Sequence, residues 1–382
     1  MGNLRWRCMY IVQLQGFEVK GQQGKVYGLR KALCGLKQAP RAWNQRIDEF
    51  MNICQHNVRP EKLIVYLYVD DLLVTGSCEE LISNFKTQML KEFEMSDLGR
   101  LNYFLGIEFI EIKCGIVMYQ SRYVLDLLKR FEMVNCNAAN TLVEVGLGLE
   151  KESEEEVVDS TAYRRMVGSL RYLCNTRPNL SYSVGVISRY MEFPRISHLN
   201  DVKCILRYLQ DTHSYGILLG GGKAGEEVQI TSYSDADWCG DKVDRRSIAG
   251  KQPVVALSSC EAEYIAACEA TCQAAWLGSV IEGLKVELAK RVGLLVDNKS
   301  TIDLAKHPTS HGRSKHFETM FHHIKQQVNN RKLEVVHCRF KDHLANILTK
   351  ALKGECFQSL RKKIGVERAE IDEDHSRRRL KT

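Results

Sequence analysis

A chain of 382 residues, 44% hydrophobic and 26% charged, is long enough for two or three cores of ordinary globular composition and is neither fibrous nor wholly disordered. Its formal charge of +7 is uneven: residues 1–47 hold nine Lys or Arg against one acid, Glu18, which suits a polyanionic partner or a solvated basic face equally well. Fourteen cysteines without a Cys-x-x-Cys pair or Cys/His ligand spacing argue against a zinc site and a disulfide scaffold, and the longest apolar run, residues 63–69, is too short to span a bilayer.

Residues 63–69 are rich in β-branched and aromatic side chains, break at Asp70-Asp71 and resume as Leu72-Leu73-Val74-Thr75, which predicts two short strands around an acidic turn. Residues 79–93 carry Leu81, Phe85, Met89 and Phe93 at helical spacing. Residues 101–109 and 115–119 read as a further strand pair. The acidic run 150–159 predicts an exposed linker, followed by helices over 160–212 with Tyr163, Val167, Leu170 and Leu173 on one face and stops at Arg177-Pro178 and Phe193-Pro194. Gly220-Gly221-Gly222 reads as a flexible joint. A second αβ region then follows. Its strands are expected at 228–233, 253–257, 292–296 and 333–337. Ser258-x-x-Glu261 opens a long helix as a capping box, another helix follows Asp297-Asn298, and a last one covers 344–352. The charged segment 367–382 predicts a disordered tail.

Two places could gather carboxylates. Phosphoryl transfer on nucleic acid needs two divalent cations about 4 Å apart, and magnesium prefers carboxylate oxygens held on rigid elements. Asp70 and Asp71 form the first place; alone, they also fit a solvated hairpin turn, where Asp is common. The second place combines Asp235 at a strand end, Glu263 in the first turn of the capped helix, and Asp297 at the end of a buried strand. Each acid singly would more often be a cap or a surface group, and the set favours metal ligation only as an ordered set within recognised motifs.

Tyr68-Val69-Asp70-Asp71 does not stand alone, because Gly35-Leu36-Lys37-Gln38-Ala39-Pro40-Arg41-Ala42-Trp43 lies upstream. Together these resemble the catalytic-turn and the template-and-nucleotide-positioning motifs of copia-type reverse transcriptases, and the nine-residue run is highly specific. The similarity extends to about Leu352, through Asp97-Leu98-Gly99, Leu105-Gly106-Ile107-Glu108, the run from Tyr163 to Leu170, Thr176-Arg177-Pro178 and Ile205-Leu206-Arg207-Tyr208-Leu209. The stretches around Asp235, Glu263 and Asp297 resemble the ribonuclease H domain of that family, and Ser314-Lys315-His316 with His322-His323-Ile324 matches a further stretch. The resemblance implies an α+β and α/β chain: a partial reverse transcriptase palm (1–149), an acidic linker and helical connection region (150–226), a ribonuclease-H-like mixed sheet with flanking helices (227–352) and a charged tail (353–382). It also implies Mg2+, with Mn2+ as the alternative ion. The metal ligands would be Asp70, Asp71, Asp235, Glu263 and Asp297, and nucleic-acid contacts would come from Lys37, Gln38, Arg41, Lys315 and His316. The partners would be an RNA template and an RNA–DNA hybrid, with deoxynucleotides only for a complete polymerase site.

The sequence departs from the family pattern at four points. The further polymerase Asp would fall before Met1, and the segment between Phe50 and Glu61 is short. A strand and turn are missing between Ile248-Ala249-Gly250 and Lys251-Gln252-Pro253, which would leave a sheet edge open. The fourth nuclease acid is Asn346, and Asp342 lies four residues away, displaced by about 6 Å along a helix. The expectation is a truncated, internally deleted element with an incomplete polymerase and an impaired nuclease. The alternative is a non-catalytic nucleic-acid-binding remnant that uses its basic segments alone. The upstream motifs argue against a transposase or integrase core. With no apolar segment after Met1 to act as a leader, the chain is expected to be intracellular, in cytoplasm or nucleus, and not secreted or membrane-bound.

Overall fold

A computed structural model describes residues 10–12, 19, 21, 22, 24–28, 37, 39–55, 62–143, 154–221, 227–240, 247, 252, 255–306 and 315–369. The chain divides into two compact units, residues 1–101 and 102–382.

In the first unit, β1 (Tyr10–Val12) pairs antiparallel with β2 (Val26–Gly28), and α1 (Ala39–Gln55) begins at Ala39-Pro40, where a proline costs no helical hydrogen bond. The expected hairpin is present as β3 (Leu63–Tyr68) and β4 (Asp71–Gly76), followed by α2 (Glu79–Glu92). Leu63, Val65 and Leu67 alternate inward with Leu72 and Val74, and this face packs on Ile47 of α1 and on Phe85 and Met89 of α2. Tyr66 and Tyr68 point outward. Tyr68 pairs with Asp71, so only Val69 and Asp70 form the turn. Val69 takes a φ of +52°, which costs a β-branched residue on the order of 1–2 kcal/mol. Trp43 of α1 offsets part of this cost by donating its indole N–H to the Val69 carbonyl at 2.7 Å.

In the second unit the elements run β5 (Tyr103–Phe104), β6 (Ile107–Ile112), β7 (Gly115–Tyr119), α3 (Ser121–Arg130), α4 (Ser160–Leu173), α5 (Ser181–Ile187), α6 (Ile196–Asp211), β8 (Tyr215–Gly220) and β9 (Thr231–Ser234). They continue as α7 (Ser259–Gly283), β10 (Val292–Val296), α8 (Lys299–Lys306), α9 (Lys315–Asn329), β11 (Leu333–His337), α10 (Asn346–Thr349), α11 (Gly354–Lys363) and β12 (Val366–Arg368).

Strands β12-β8-β7-β6-β5 form one antiparallel sheet. The single strand expected over 101–109 is broken into β5 and β6, because Leu105 and Gly106 both adopt positive φ and turn the chain back. Tyr172 of α4 donates to the Leu105 carbonyl at 2.7 Å and holds that turn. Residues 103–119, grouped by sequence with the first domain, lie in one sheet with 215–220 and 366–368.

Asp159 caps α4, accepting hydrogen bonds from the amides of Thr161 and Ala162, and Tyr163, Val167, Leu170 and Leu173 are buried as their spacing predicts. They share a core with Leu127 and Leu128 of α3, Ile205 and Leu209 of α6, and Phe357 and Leu360 of α11. Arg177 is buried with no carboxylate partner among the described residues. It donates to the Thr212 carbonyl at 2.7 Å and to the Thr212 hydroxyl at 3.0 Å, and its guanidinium lies near the Tyr208 and Tyr215 rings. The described part of the acidic segment, 154–159, does not hang free: the Glu155 carboxylate accepts from the Ser197 amide at 2.9 Å at the start of α6, and those Ser197 bonds hold its pKa below the ordinary range.

Among the described residues a smaller sheet has the order β11-β10-β9, with both pairings parallel. Residues 255–257, expected to be a strand, join no strand among the described residues, and 253–254 lie outside them. Tyr264, Ala267 and Cys268 of α7, Ile302 of α8 and Ile324 of α9 cover Leu294, Val296, Leu333 and Val335. The helix expected over 344–352 shrinks to the four residues of α10. The expected charged tail is corrected as well. Residues 354–368 form α11 and β12, and residues 370–382 lie outside the description. Among the described residues no helix is long and apolar enough to cross a membrane.

Leu360 is fully buried in the helical core, so Leu360→Ala should lower unfolding free energy by about 2–5 kcal/mol in chemical denaturation. A change below about 0.5 kcal/mol, the usual size of surface effects, would contradict the placement of this C-terminal helix.

Candidate functional site

The parallel register of β9 and β10 fixes the site. Ser234 is paired with Val296, so the next residues, Asp235 and Asp297, leave adjacent strands side by side at their carboxyl ends. The third acid comes from α7. Ser258 accepts from the Glu261 amide at 3.2 Å, and the Glu261 carboxylate accepts from the Leu257 amide at 2.8 Å, one residue earlier than in the usual reciprocal box. Helix α7 starts at Ser259, which makes Glu263 its fifth residue. It therefore sits just past the first turn expected from the sequence, where the helix dipole helps it little.

Asp235, Glu263 and Asp297 each offer one oxygen within 4.8 Å of the others. Asp235 and Glu263 are only 3% and 6% exposed, and Asp297 is half-buried. Like charges this close repel by several kcal/mol even at an effective dielectric of about 20, so the cluster must recruit protons or cations. The Ala236 amide donates to one Glu263 oxygen at 3.1 Å. The other, Oε2, is buried with no hydrogen-bond partner among the described residues. Burial above all, then Asp235 and Asp297, push the Glu263 pKa up to about 8 against the pull of the Ala236 amide. Asp237, next along the same loop, is raised chiefly by burial. Asp235 receives the Lys350 ammonium on Oδ1 at 3.0 Å, and the Thr349 hydroxyl lies against Oδ2. That hydroxyl also reaches the Ala345 carbonyl at 3.1 Å, so its one proton serves one acceptor at a time.

The other expected site residues divide clearly. Asn346 opens α10, is fully buried and donates its amide to the Phe340 carbonyl at 2.8 Å. Asp342 does not compensate for it. Its carboxylate is exposed, pairs with Lys363 at 2.7 Å and is held below the ordinary pKa by that lysine. Asp70 and Asp71 are both exposed at the β3–β4 turn, and no third acid joins them among the described residues. Lys37 and Arg41 are exposed; Gln38 and the side chains of Lys315 and His316 lie outside the described residues. Thr349 and Lys350 escaped the sequence reading. Both sit in the Ile347-Leu348-Thr349-Lys350 stretch, but nothing in their type or spacing ties them to an acid 114 and 115 residues upstream.

Residues 2–145 match the reverse transcriptase (RNA-dependent DNA polymerase) family. The chain is 38% identical to the retrovirus-related Pol polyprotein from transposon RE1 of Arabidopsis thaliana, over 94% of this chain and 26% of that protein. It is 33% identical to the corresponding polyprotein from transposon TNT 1-94 of Nicotiana tabacum, over 94% of this chain and 29% of that one. The chain thus spans about a quarter of the length of the curated relatives it matches first. Among solved structures, a foamy viral protease-reverse transcriptase in complex with double-stranded DNA aligns with a TM-score of 0.43 and 10% identity, covering 79% of this chain and 49% of that one. The motifs around Lys37 and Asp70 and the extended match to transposon polyproteins agree: this chain belongs to the copia-type retrotransposon Pol family and carries its reverse transcriptase-like domain.

Proposed function

We propose that residues 227–352 are a ribonuclease-H-like domain that cleaves the RNA strand of an RNA–DNA hybrid, and that Asp70 and Asp71 form the catalytic turn of the polymerase in the same Pol region. The observation that carries the nuclease reading is the convergence of Asp235, Glu263 and Asp297 within 4.8 Å. The donor set fits a hard divalent cation. All three ligands are carboxylate oxygens on rigid strand ends or a helix, and the buried Glu263 Oε2 has no other partner among the described residues. A bound ion, magnesium or manganese, supplies Lewis-acid charge for the phosphoryl group and makes water more acidic.

The protein's own contribution is positioning. Asp235 is held by Lys350, Glu263 by the Ala236 amide, and Asp297 by the end of β10. Asn346 adds no negative charge, which weakens cation binding and makes slow turnover the expected behaviour. The exposed Lys37 and Arg41 suit contacts to phosphate, template or hybrid.

The purified chain should cut an RNA–DNA hybrid slowly, only with magnesium or manganese, and lose the activity to a chelator. Glu263→Gln should reduce the rate by more than the roughly 10–100-fold that second-shell changes cost at metal sites. Cleavage that survives chelation, or a Glu263→Gln variant as fast as the parent, would sink the assignment. Hybrid binding measured without metal should weaken steeply with salt, and a Lys37→Ala/Arg41→Ala pair should lower the log–log salt slope by about one to two. An unchanged slope would remove these two residues from the phosphate interface.

A further inference from the structure

Charge counting around the carboxylate cluster leads one step further, resting on the reading of that cluster as a divalent-cation site. With all three carboxylates ionised, as ligands to a cation must be, the cluster carries three negative charges, and among the described residues the ammonium in contact with them is Lys350, at 3.0 Å from Asp235. The remainder matches one divalent ion, not two. Lys350 is not a loose surface lysine: its side chain is 26% exposed and its ammonium sits 5.2 Å from the centre of the Phe340 ring. Phe340 is in turn held by Asn346, whose amide donates to the Phe340 carbonyl at 2.8 Å. A carboxylate at position 346 could not make that bond, because an ionised acid has no proton to give. Asn346 thus secures the aromatic face against which the ammonium rests, while its own Oδ1 remains buried without a hydrogen-bond partner among the described residues.

Both oxygens of Asp235 are met by protein donors, Lys350 on one and Thr349 on the other, whereas Glu263 Oε2 is met by none among the described residues. Asp235 keeps only its remaining lone pairs for a cation, and most of the free coordinating capacity lies toward Glu263 and Asp297. We propose that Lys350 is a built-in cation standing in for one metal ion, so that the cluster binds a single divalent cation, with Asn346 as the positioning residue that keeps Lys350 in place.

The test is a calorimetric titration of the full chain with Mn2+, counting only heat that disappears in the Glu263→Gln variant. The parent should bind one ion at the cluster. Lys350→Met, which keeps the length of the side chain and removes its charge, should bind a second ion and take the first roughly tenfold more tightly. Lys350→Arg should retain a stoichiometry of one. Two ions in the parent, or a Lys350→Met variant with the parent's stoichiometry and affinity, would overturn the stand-in role and leave the metal site intact. Absence of any Glu263-dependent heat in parent and Lys350→Met alike would remove the divalent-cation site itself, and this inference with it.

Discussion

Mutual repulsion among Asp235, Glu263 and Asp297 is the constraint around which the C-terminal αβ region is organised. Their oxygens meet within 4.8 Å, and two of the three side chains are buried. Such an arrangement persists only if positive charge enters it. The protein supplies some of that charge itself: an ammonium at Asp235 and, through a pKa near 8, a readily held proton at Glu263. The Ala236 amide contributes a further dipole. Among the described residues one buried carboxylate oxygen of the cluster, Glu263 Oε2, stays without a hydrogen-bond partner, and the proposed cation would meet it.

The scaffold makes this crowding affordable by placing each acid on an element whose own stability lies elsewhere. Strands β9 and β10 are locked in parallel register, and α7, α8 and α9 bury the apolar residues of β10 and β11. Helix α7 is anchored by Ser258 and Glu261, five and two residues from Glu263, so the acid cannot drift along the strand ends. The hairpin at Asp70-Asp71 follows a different logic. There the acids are exposed, and the cost lies in the backbone of Val69, whose carbonyl is held by Trp43. One site stores its strain in electrostatics, the other in a dihedral angle.

Much of this was legible in the chain because the signals are local. The alternation from Leu63 to Tyr68, the spacing of Tyr163, Val167, Leu170 and Leu173, and the Ser258-x-x-Glu261 cap each specify an element within a few residues, and each element formed. The three acids that meet in the cluster, Asp235, Glu263 and Asp297, could be picked out in the sequence because each ends or enters such an element. Reading failed where the determinant is distant or backbone-borne. Leu105 breaks a strand by taking a positive φ that its side chain does not advertise. The helix α11 reads as part of a charged tail because its buried Phe357 and Leu360 are followed by Arg361, Lys362 and Lys363, of which the lysines face outward while Arg361 turns in to the Tyr208 hydroxyl. The union of β6 and β7 with β8 and β12 joins segments far apart in sequence, and the same is true of Lys350 on Asp235.

The most direct measurement is anomalous X-ray diffraction from crystals of the full chain soaked in Mn2+. The expected result is an anomalous peak bounded by the carboxylates of Asp235, Glu263 and Asp297. A map with well-ordered side chains at these three positions, Mn2+ peaks elsewhere and none among them would contradict the central claim that this cluster is built to hold a divalent ion.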